Sequence, residues 1–455
     1  MNQKLFGTSG IRGIVNLDLT PEIAIQIASA VATYTYSGKI VIGHDTRTSA
    51  SMLEHTLTAG LLAGGCSVYT IGLVPTPVLA YLTREIKADA GIMITASHNP
   101  PKYNGVKLFS KDSMAFDEEK QSQIEKIVEN KSFRRADWQN IQKEIRIDEA
   151  YRYVNAIKES VTLKKQWKIV LDTANGATSN MGPILFRKLG CKVTAINSQP
   201  DGFFPGRNPE PNAESLRSLC QMVKQLKADA GIAYDGDGDR MVAVDEKGKI
   251  SPFDQILAAY ASYVIKKNKG GIVVTTMEAS MCLEKMVNQY NGRIERTKVG
   301  DVNVAIAVRN CRAIFGGEPC GAWIHPKYHY CPDGILSSIL LLKALEEEDT
   351  SLSTFVSRAP QYPMTRENVK CPNNIKLKVI NELEKVVEST FPKIKKKLII
   401  DGLWIALDKG WFLIRASGTE PLVRITVEAE SADGAEEIME KGIKLVKRLV
   451  KEMVK

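Results

Sequence analysis

Three aspartates alternate with glycine in DGDGDR, residues 235–240. On an extended strand, carboxylates at i, i+2 and i+4 stand about 6.6 Å apart, too far to share one ion. Gly236 and Gly238 allow the chain to curl, so that Asp235, Asp237 and Asp239 converge. Three hard oxygen donors on one loop suit Mg2+ and leave coordination positions open for water or phosphate. A calcium loop is the competing reading, because Glu246 falls at position twelve. Position six, however, is Arg240 where glycine is required, and MVAV at 241–244 reads as a strand rather than a helix.

A second stretch, TASHNPPKYNGVK at 95–107, sets Ser97 beside His98 ahead of two prolines, with Lys107 ten residues on. No GxSxG elbow surrounds the serine. His98 is the nearest base, but as the immediate neighbour its ring is expected to point elsewhere, and an unassisted serine is a poor nucleophile. A phosphorylated Ser97 needs no such activation to donate its phosphoryl group, and its oxygen could complete the metal's coordination. Pro100 and Pro101 fix the loop, and Asn104-Gly105 turns Lys107 back towards the serine. There it could act as general acid or base if neighbouring positive charge lowers its pKa.

Two further loops carry recognition chemistry. RASGTEPLVR, 415–424, reads as an anion cradle: Arg415 offers a planar fork, Ser417, Gly418 and Thr419 offer hydroxyls and close backbone N–H groups, and Arg424 adds charge. GGEPCG, 316–321, sets Glu318 and Cys320 between glycines, where a carboxylate can accept from sugar hydroxyls.

The elements that position these loops recur. ADAGI at 88–92 returns at 228–232, KIVIGHD at 39 parallels KIVLDTA at 168, and GCSV at 65 parallels GCKV at 190. A fainter third copy runs through GIVVTT at 271, NGRIER at 291 and RAIFGGE at 312. Each copy reads as a strand, a helix-length stretch, a second strand, then a third strand ending in a loop. This implies three similar α/β domains with mixed, mostly parallel sheets, whose ligands bind beyond the strands' carboxyl ends. The part after Pro360 and Pro363 differs: a helical stretch, short alternating strands (LWIAL, WFLIRA, LVRITVEA) and an amphipathic helix at 433–454 predict a smaller α+β domain.

Composition fits this organisation. The chain has 455 residues, 44% hydrophobic and 25% charged, and a net charge of +9 from 61 basic and 52 acidic residues. That charge forms no basic stripe, apart from short clusters such as Lys393, Lys395, Lys396 and Lys397. No nucleic-acid partner is expected, and small phosphorylated substrates suit the excess equally well. The eight cysteines have no zinc-like spacing and read as reduced thiols. No signal core or long apolar run is present, so no membrane association is expected and the cytoplasm is the expected location.

Taken together, FGTSGIRG, TASHNP, DGDGDR, GEPCG and RASGTEP resemble the α-D-phosphohexomutase family in order and spacing, over essentially the whole chain. The resemblance implies four domains around a central cleft: a phosphoserine domain at 1–150, a metal-binding domain at 151–251, a sugar-binding domain at 252–363 and a phosphate-binding domain at 364–455. It implies that Ser97 carries the phosphoryl group and that Asp235, Asp237 and Asp239 hold Mg2+ with it. Arg12 matches an arginine near the phosphoserine, Lys107 an acid/base, and Arg240 and Lys298 substrate-side positions. Glu318 matches the residue gripping sugar hydroxyls, and Arg415, Ser417, Gly418, Thr419 and Arg424 match the phosphate loop. Cys320 replaces the family's usual serine and Ala322 its frequent histidine, so the sugar contact is weaker or is supplied by a neighbour such as His325.

The expected reaction interconverts hexose 6-phosphate and hexose 1-phosphate, with glucose, mannose or both as the sugar and a broad specificity open, and a 1,6-bisphosphate as intermediate and activator. A phosphoglucosamine mutase is the alternative within the family. A Mg2+-dependent sugar phosphatase is the alternative from another reaction class.

Overall fold

The structure is a computed structural model that describes residues 5–7, 9–417 and 420–454. Three successive α/β domains and a C-terminal antiparallel domain make up the chain. Its contacts divide it into two compact units, one of residues 1–253 and 300–356, the other of residues 254–299 and 357–455.

In the first unit, the first domain centres on a six-stranded sheet. Its order is Ile11–Ile14, Tyr103–Ser110, Ala90–Ile94, Lys39–His44, Ser67–Leu73 and Glu144–Arg146. The pairs from Ala90–Ile94 to Glu144–Arg146 are parallel, and the other two are antiparallel. The second domain repeats the central pattern: Met241–Val244, Ala230–Tyr234, Lys168–Asp172, Lys192–Ile196, with only the first pair antiparallel. Strands Ala90–Ile94 and Ala230–Tyr234 are buried throughout, as expected of apolar runs covered on both faces.

The repeated ADAGI has a physical reason. Asp89 donates its N–H to the Lys39 carbonyl, and its side chain accepts the Lys39 N–H, both at 2.8 Å. Asp229 does the same for Lys168 at 2.7 Å. In both copies this aspartate locks the start of the third strand to the start of the first, which fixes the register and therefore where the following loop emerges.

Each repeat holds one element more than the sequence pattern suggested. A helix lies between the second and third strands: Thr76–Glu85, Arg217–Leu226 and Asp301–Cys311. The third repeat ends in the hairpin Phe315–Gly317/Trp323–Ile324, which carries the GGEPCG loop.

In the second unit, strands Gly271–Thr276 and Gly292–Thr297 run parallel in register. The C-terminal sheet is wholly antiparallel, in the order Met364–Lys370, Leu422–Ala429, Gly410–Ala416, Leu403–Ala406, Lys396–Ile399. Helices Lys376–Thr390 and Ala432–Val454 cover one of its faces, sharing a core with Phe412, Ile414, Val423 and Ile425. Among the described residues no helix is long and apolar enough to cross a membrane, and all eight cysteines are free thiols.

Candidate active site

DGDGDR follows strand Ala230–Tyr234 directly, and Gly238 adopts the left-handed φ of +77° that turns the chain back. Asp235, Asp237 and Asp239 are all buried, and each offers one oxygen to a cluster within 4.8 Å. Asp235 Oδ1 accepts the backbone N–H groups of Gly238 and Arg240, at 3.1 and 3.2 Å. Asp237 Oδ1 and Asp239 Oδ1 are buried without hydrogen-bond partners. Two unsatisfied carboxylate oxygens in a buried triad suit the donor set of a hard divalent cation. The fit is good.

Ser97 lies at this cluster. Its Oγ donates to Asp235 Oδ2 at 2.6 Å, although the two residues belong to different repeats. The loops touch along their backbones as well: a Cβ at Gly236 would stand 2.5 Å from the Ser97 carbonyl oxygen. Against expectation, the His98 ring does not point away, since its Nδ1 lies 3.2 Å from Ser97 Oγ. Burial, then the Arg240 and Arg12 guanidiniums, depress the His98 pKa to about 3. The imidazole is therefore neutral, and its Nε2, 3.7 Å from Glu210 Oε2, makes no ion pair.

Lys107 reverses another expectation. Its Nζ donates to Asp237 Oδ2 at 2.8 Å and to Asp239 Oδ2 at 2.7 Å. Burial alone would lower its pKa, but the two carboxylates outweigh burial and Arg12, so the ammonium is held well above its usual range. It is a proton donor and a fixed positive charge, not a primed base. Asp237 is correspondingly held below the usual carboxylate range, burial being overcome by Lys107 and by the Thr76 hydroxyl.

The other predicted residues of the first unit sit around this centre. Arg12, on strand Ile11–Ile14, donates to Asn99 Oδ1 at 2.8 Å. Arg240 lies 3.9 Å from Asp239 Oδ1 and 4.0 Å from Glu210 Oε2. The GGEPCG loop packs on the strand after DGDGDR, where Met241 donates its N–H to the Gly321 carbonyl at 3.1 Å. Glu318 is buried and accepts the Gly300 N–H at 3.0 Å. Burial, then Asp301, raise its carboxyl to about 7 against the opposing Gly300 bond and Arg240. Burial, then Glu318, push the Cys320 thiol up to about 12. His325 is buried against Phe315 with its Nε2 2.9 Å from Ser337 Oγ.

The remaining predicted residues belong to the second unit. Lys298 directly follows strand Gly292–Thr297. Arg415 and Arg424 face one another across neighbouring strands. Arg415 Nη1 pairs with Glu278 at 2.9 Å and Asp401 at 3.1 Å, and Arg424 with Glu420 at 3.0 Å. Ser417 Oγ accepts the Glu420 N–H at 3.2 Å, while Gly418 and Thr419 lie outside the described residues. Arg415, Ser417 and Lys376 line a cavity of about 460 Å³.

Four consecutive family models match the chain. Domains I, II and III of the phosphoglucomutase/phosphomannomutase family match residues 3–135, 151–248 and 252–362, and its C-terminal domain matches 367–444. The chain belongs to the phosphoglucomutase/phosphomannomutase family. It is an isomerase that moves a phosphoryl group, a phosphomutase. A phosphoglucosamine mutase of Methanococcus maripaludis is 44% identical, covering 99% of this chain and 100% of that protein. A probable phosphoglucosamine mutase of Methanobrevibacter smithii is 43% identical over 98% and 99%. Among solved structures, a phosphoglucomutase/phosphomannomutase family protein of Burkholderia thailandensis superposes with a TM-score of 0.88 at 27% identity, covering 99% of this chain and 98% of that one.

Several residues packed around these predicted positions escaped the sequence reading. Thr76, in VPTP, binds Asp237. Glu210, in NPEP, faces His98 and Arg240. Lys376 donates to the carbonyls of Ser417 and Glu420, at 2.5 and 2.9 Å. Arg47 runs behind the Ser97 loop. The prolines beside Thr76 and Glu210 were a local signal of rigid turns, whereas nothing near Lys376 or Arg47 in the chain announces their partners.

Proposed function

We propose that this phosphomutase interconverts glucosamine 6-phosphate and glucosamine 1-phosphate. The reading is carried by one observation: relatives 43–44% identical over nearly the whole chain are named phosphoglucosamine mutases. It favours the phosphoglucosamine alternative raised from the sequence over the main reading of glucose, mannose or both.

Ser97 is the phosphoryl carrier in this reading, and the four domains take the phosphoserine, metal, sugar and phosphate roles in chain order. In the first transfer the sugar's free hydroxyl oxygen bonds to phosphorus while the Ser97 Oγ–P bond breaks, giving the 1,6-bisphosphate. In the return transfer Ser97 Oγ bonds to the other phosphorus and the sugar O–P bond breaks. In the return transfer the Ser97 proton passes to neutral His98 Nδ1, 3.2 Å away, and the Lys107 ammonium protonates the departing sugar oxygen. In the first transfer of the next turnover His98 gives that proton to the departing Ser97 Oγ, and the Lys107 amine takes the proton of the attacking sugar hydroxyl. Asp235, Asp237 and Asp239 with Ser97 would hold Mg2+, which when bound neutralises charge on the transferring group. Arg12 and Arg240 contribute positive charge beside the transferring phosphoryl. Glu318 accepts from sugar hydroxyls with Cys320 beside it. Lys298 and the loop with Arg415, Ser417, Gly418, Thr419 and Arg424 hold the phosphate that is not being transferred.

The deciding experiment compares kcat/KM for glucosamine 1-phosphate, glucose 1-phosphate and mannose 1-phosphate, with bisphosphate as activator. Glucosamine 1-phosphate is expected to lead by about tenfold or more. A lead for either neutral sugar overturns the preference, and phosphate release at the turnover rate makes the protein a phosphatase instead.

A further inference from the structure

Arg47 spends its whole guanidinium on one corner of the first domain. Nε pairs with Asp45 Oδ2 at 3.1 Å. Nη1 donates to the carbonyls of Pro100 and Tyr103, both at 2.7 Å, and Nη2 to those of Ser97 and Asn99, at 3.0 and 2.6 Å. The side chain is fully buried and lies over the Phe204 ring at 5.3 Å.

These bonds close a circuit around Ser97. Asp45 directly follows strand Lys39–His44, and its Oδ2 also accepts from Thr95 Oγ1 at 2.7 Å. Thr95 Oγ1 in turn accepts the Ser97 N–H at 2.9 Å. Both backbone polar groups of Ser97 are thereby fixed from one carboxylate, one through Thr95 and the other through Arg47. What they fix is unusual: Ser97 has φ +51°, the left-handed region that a residue with a Cβ disfavours. Such strain persists only where the surroundings over-determine it.

The second domain contains the same device. Asp172, the last residue of strand Lys168–Asp172, pairs with buried Arg207 at 2.9 Å. Arg207 donates to the carbonyl of Tyr234 at 2.6 Å, the residue just before DGDGDR. In both of these repeats, an aspartate at the end of the first strand holds an arginine that fastens the backbone around the loop after the third.

We propose that Arg47 is a positioning residue for phosphoryl transfer, its guanidinium, with Asp45 and Thr95, forcing Ser97 into the left-handed conformation that presents Oγ to Asp235. The inference rests on Ser97 being the phosphoryl carrier. Lysine cannot replace this arginine, because three rotatable donors on a point charge do not match a planar fork with five.

The test uses Arg47→Lys and the isosteric Asp45→Asn, with Ser97→Gly and Ser97→Ala made in each background. Since Arg47 touches no substrate, kcat should fall about 100-fold in both variants while KM stays within about twofold. In the otherwise wild-type protein Ser97→Gly should melt about 2 °C or more above Ser97→Ala, because glycine tolerates the left-handed φ. That gap should close in the Arg47→Lys background. A wild-type kcat, or a gap that persists, overturns the proposal. Should Arg47→Lys fail to fold, Asp45→Asn carries both measurements. The melting comparison needs no turnover, so it stands or falls separately from the mutase reading.

Discussion

The Thr76 hydroxyl donates to Asp237 Oδ2 at 2.6 Å, and the Thr76 N–H donates to the Asp237 carbonyl at 2.9 Å. A residue opening a helix of the first repeat thus orients a carboxylate in the aspartate cluster of the second. With Oδ2 held by Thr76 and Lys107, the partnerless oxygen is Oδ1. Outer contacts of this kind set the direction and basicity of a ligand without touching the cation.

Thr76→Val keeps the shape and removes the hydroxyl. Mg2+ or Mn2+ affinity, measured by calorimetric titration of the purified protein, should fall about tenfold or more. Affinity equal to wild type would mean that Asp237 does not depend on Thr76 for its orientation.

What the sequence made legible was local. The convergence of Asp235, Asp237 and Asp239 follows from two glycines within the same six residues, and the three α/β repeats follow from strand patterns that Asp89 and Asp229 repeat. What it hid was set at long range. The ammonium of Lys107 is governed by carboxylates more than 100 residues away in the chain, so its environment read as the opposite of what it is. His98 turns back on Ser97 because the loop takes a left-handed φ at the serine, which no residue type there announces. Two edge strands were also missed: Met364–Lys370 is mostly exposed and polar, and Lys396–Ile399 lies in what reads as a basic cluster. Lysine-rich edges discourage pairing with other chains and look like solvated loops.

A pH effect arises in the second unit. Burial, then the Glu428 carboxylate, raise Asp254 to about 6 from an ordinary value of 3.8, against the opposing Ser280 bond and the Arg296 and Arg366 charges. The folded state therefore favours the proton. This contribution to stability is fully present below pH 4 and is lost as pH rises through 6, amounting to about 3 kcal/mol. Asp254→Asn keeps the acceptor for the Ser280 N–H, 2.8 Å away, and carries no charge. Its denaturant midpoint should exceed wild type at pH 8 and match it at pH 4. An Asn variant less stable than wild type at pH 8 would contradict a buried, proton-favouring carboxyl.

Cys320 offers a handle on the GGEPCG loop and its proposed sugar contact. Its thiol, held near 12 by burial and Glu318, is neither a thiolate nor a strong hydrogen-bonding group at neutral pH. Cys320→Ser supplies a hydroxyl beside Glu318, and one added hydrogen bond corresponds to about a fivefold lower KM for the sugar phosphate. Steady-state kinetics at saturating bisphosphate would read the change. An unchanged or higher KM would place the side chain outside the sugar contact.

The close backbone approach between the Ser97 and DGDGDR loops gives a sharp test of their assembly. At Gly236 a Cβ would stand 2.5 Å from the Ser97 carbonyl oxygen, with Pro209 Cβ at 3.3 Å and Phe204 Cε1 at 3.5 Å. The first contact is with backbone that Arg47 also holds, so it cannot be relieved by rotating a side chain. Gly236→Ala must instead drive the two loops apart, lengthening the 2.6 Å bond from Ser97 to Asp235. The three carboxylates remain on one loop, so cation binding should survive within about tenfold, whereas turnover should drop by about 100-fold or more. Cation titration and kcat measured on the same preparation would separate these effects. Parallel loss of both would mean that the alanine unfolds the DGDGDR loop itself, and wild-type turnover would mean that Ser97 acts without contact to the aspartate cluster.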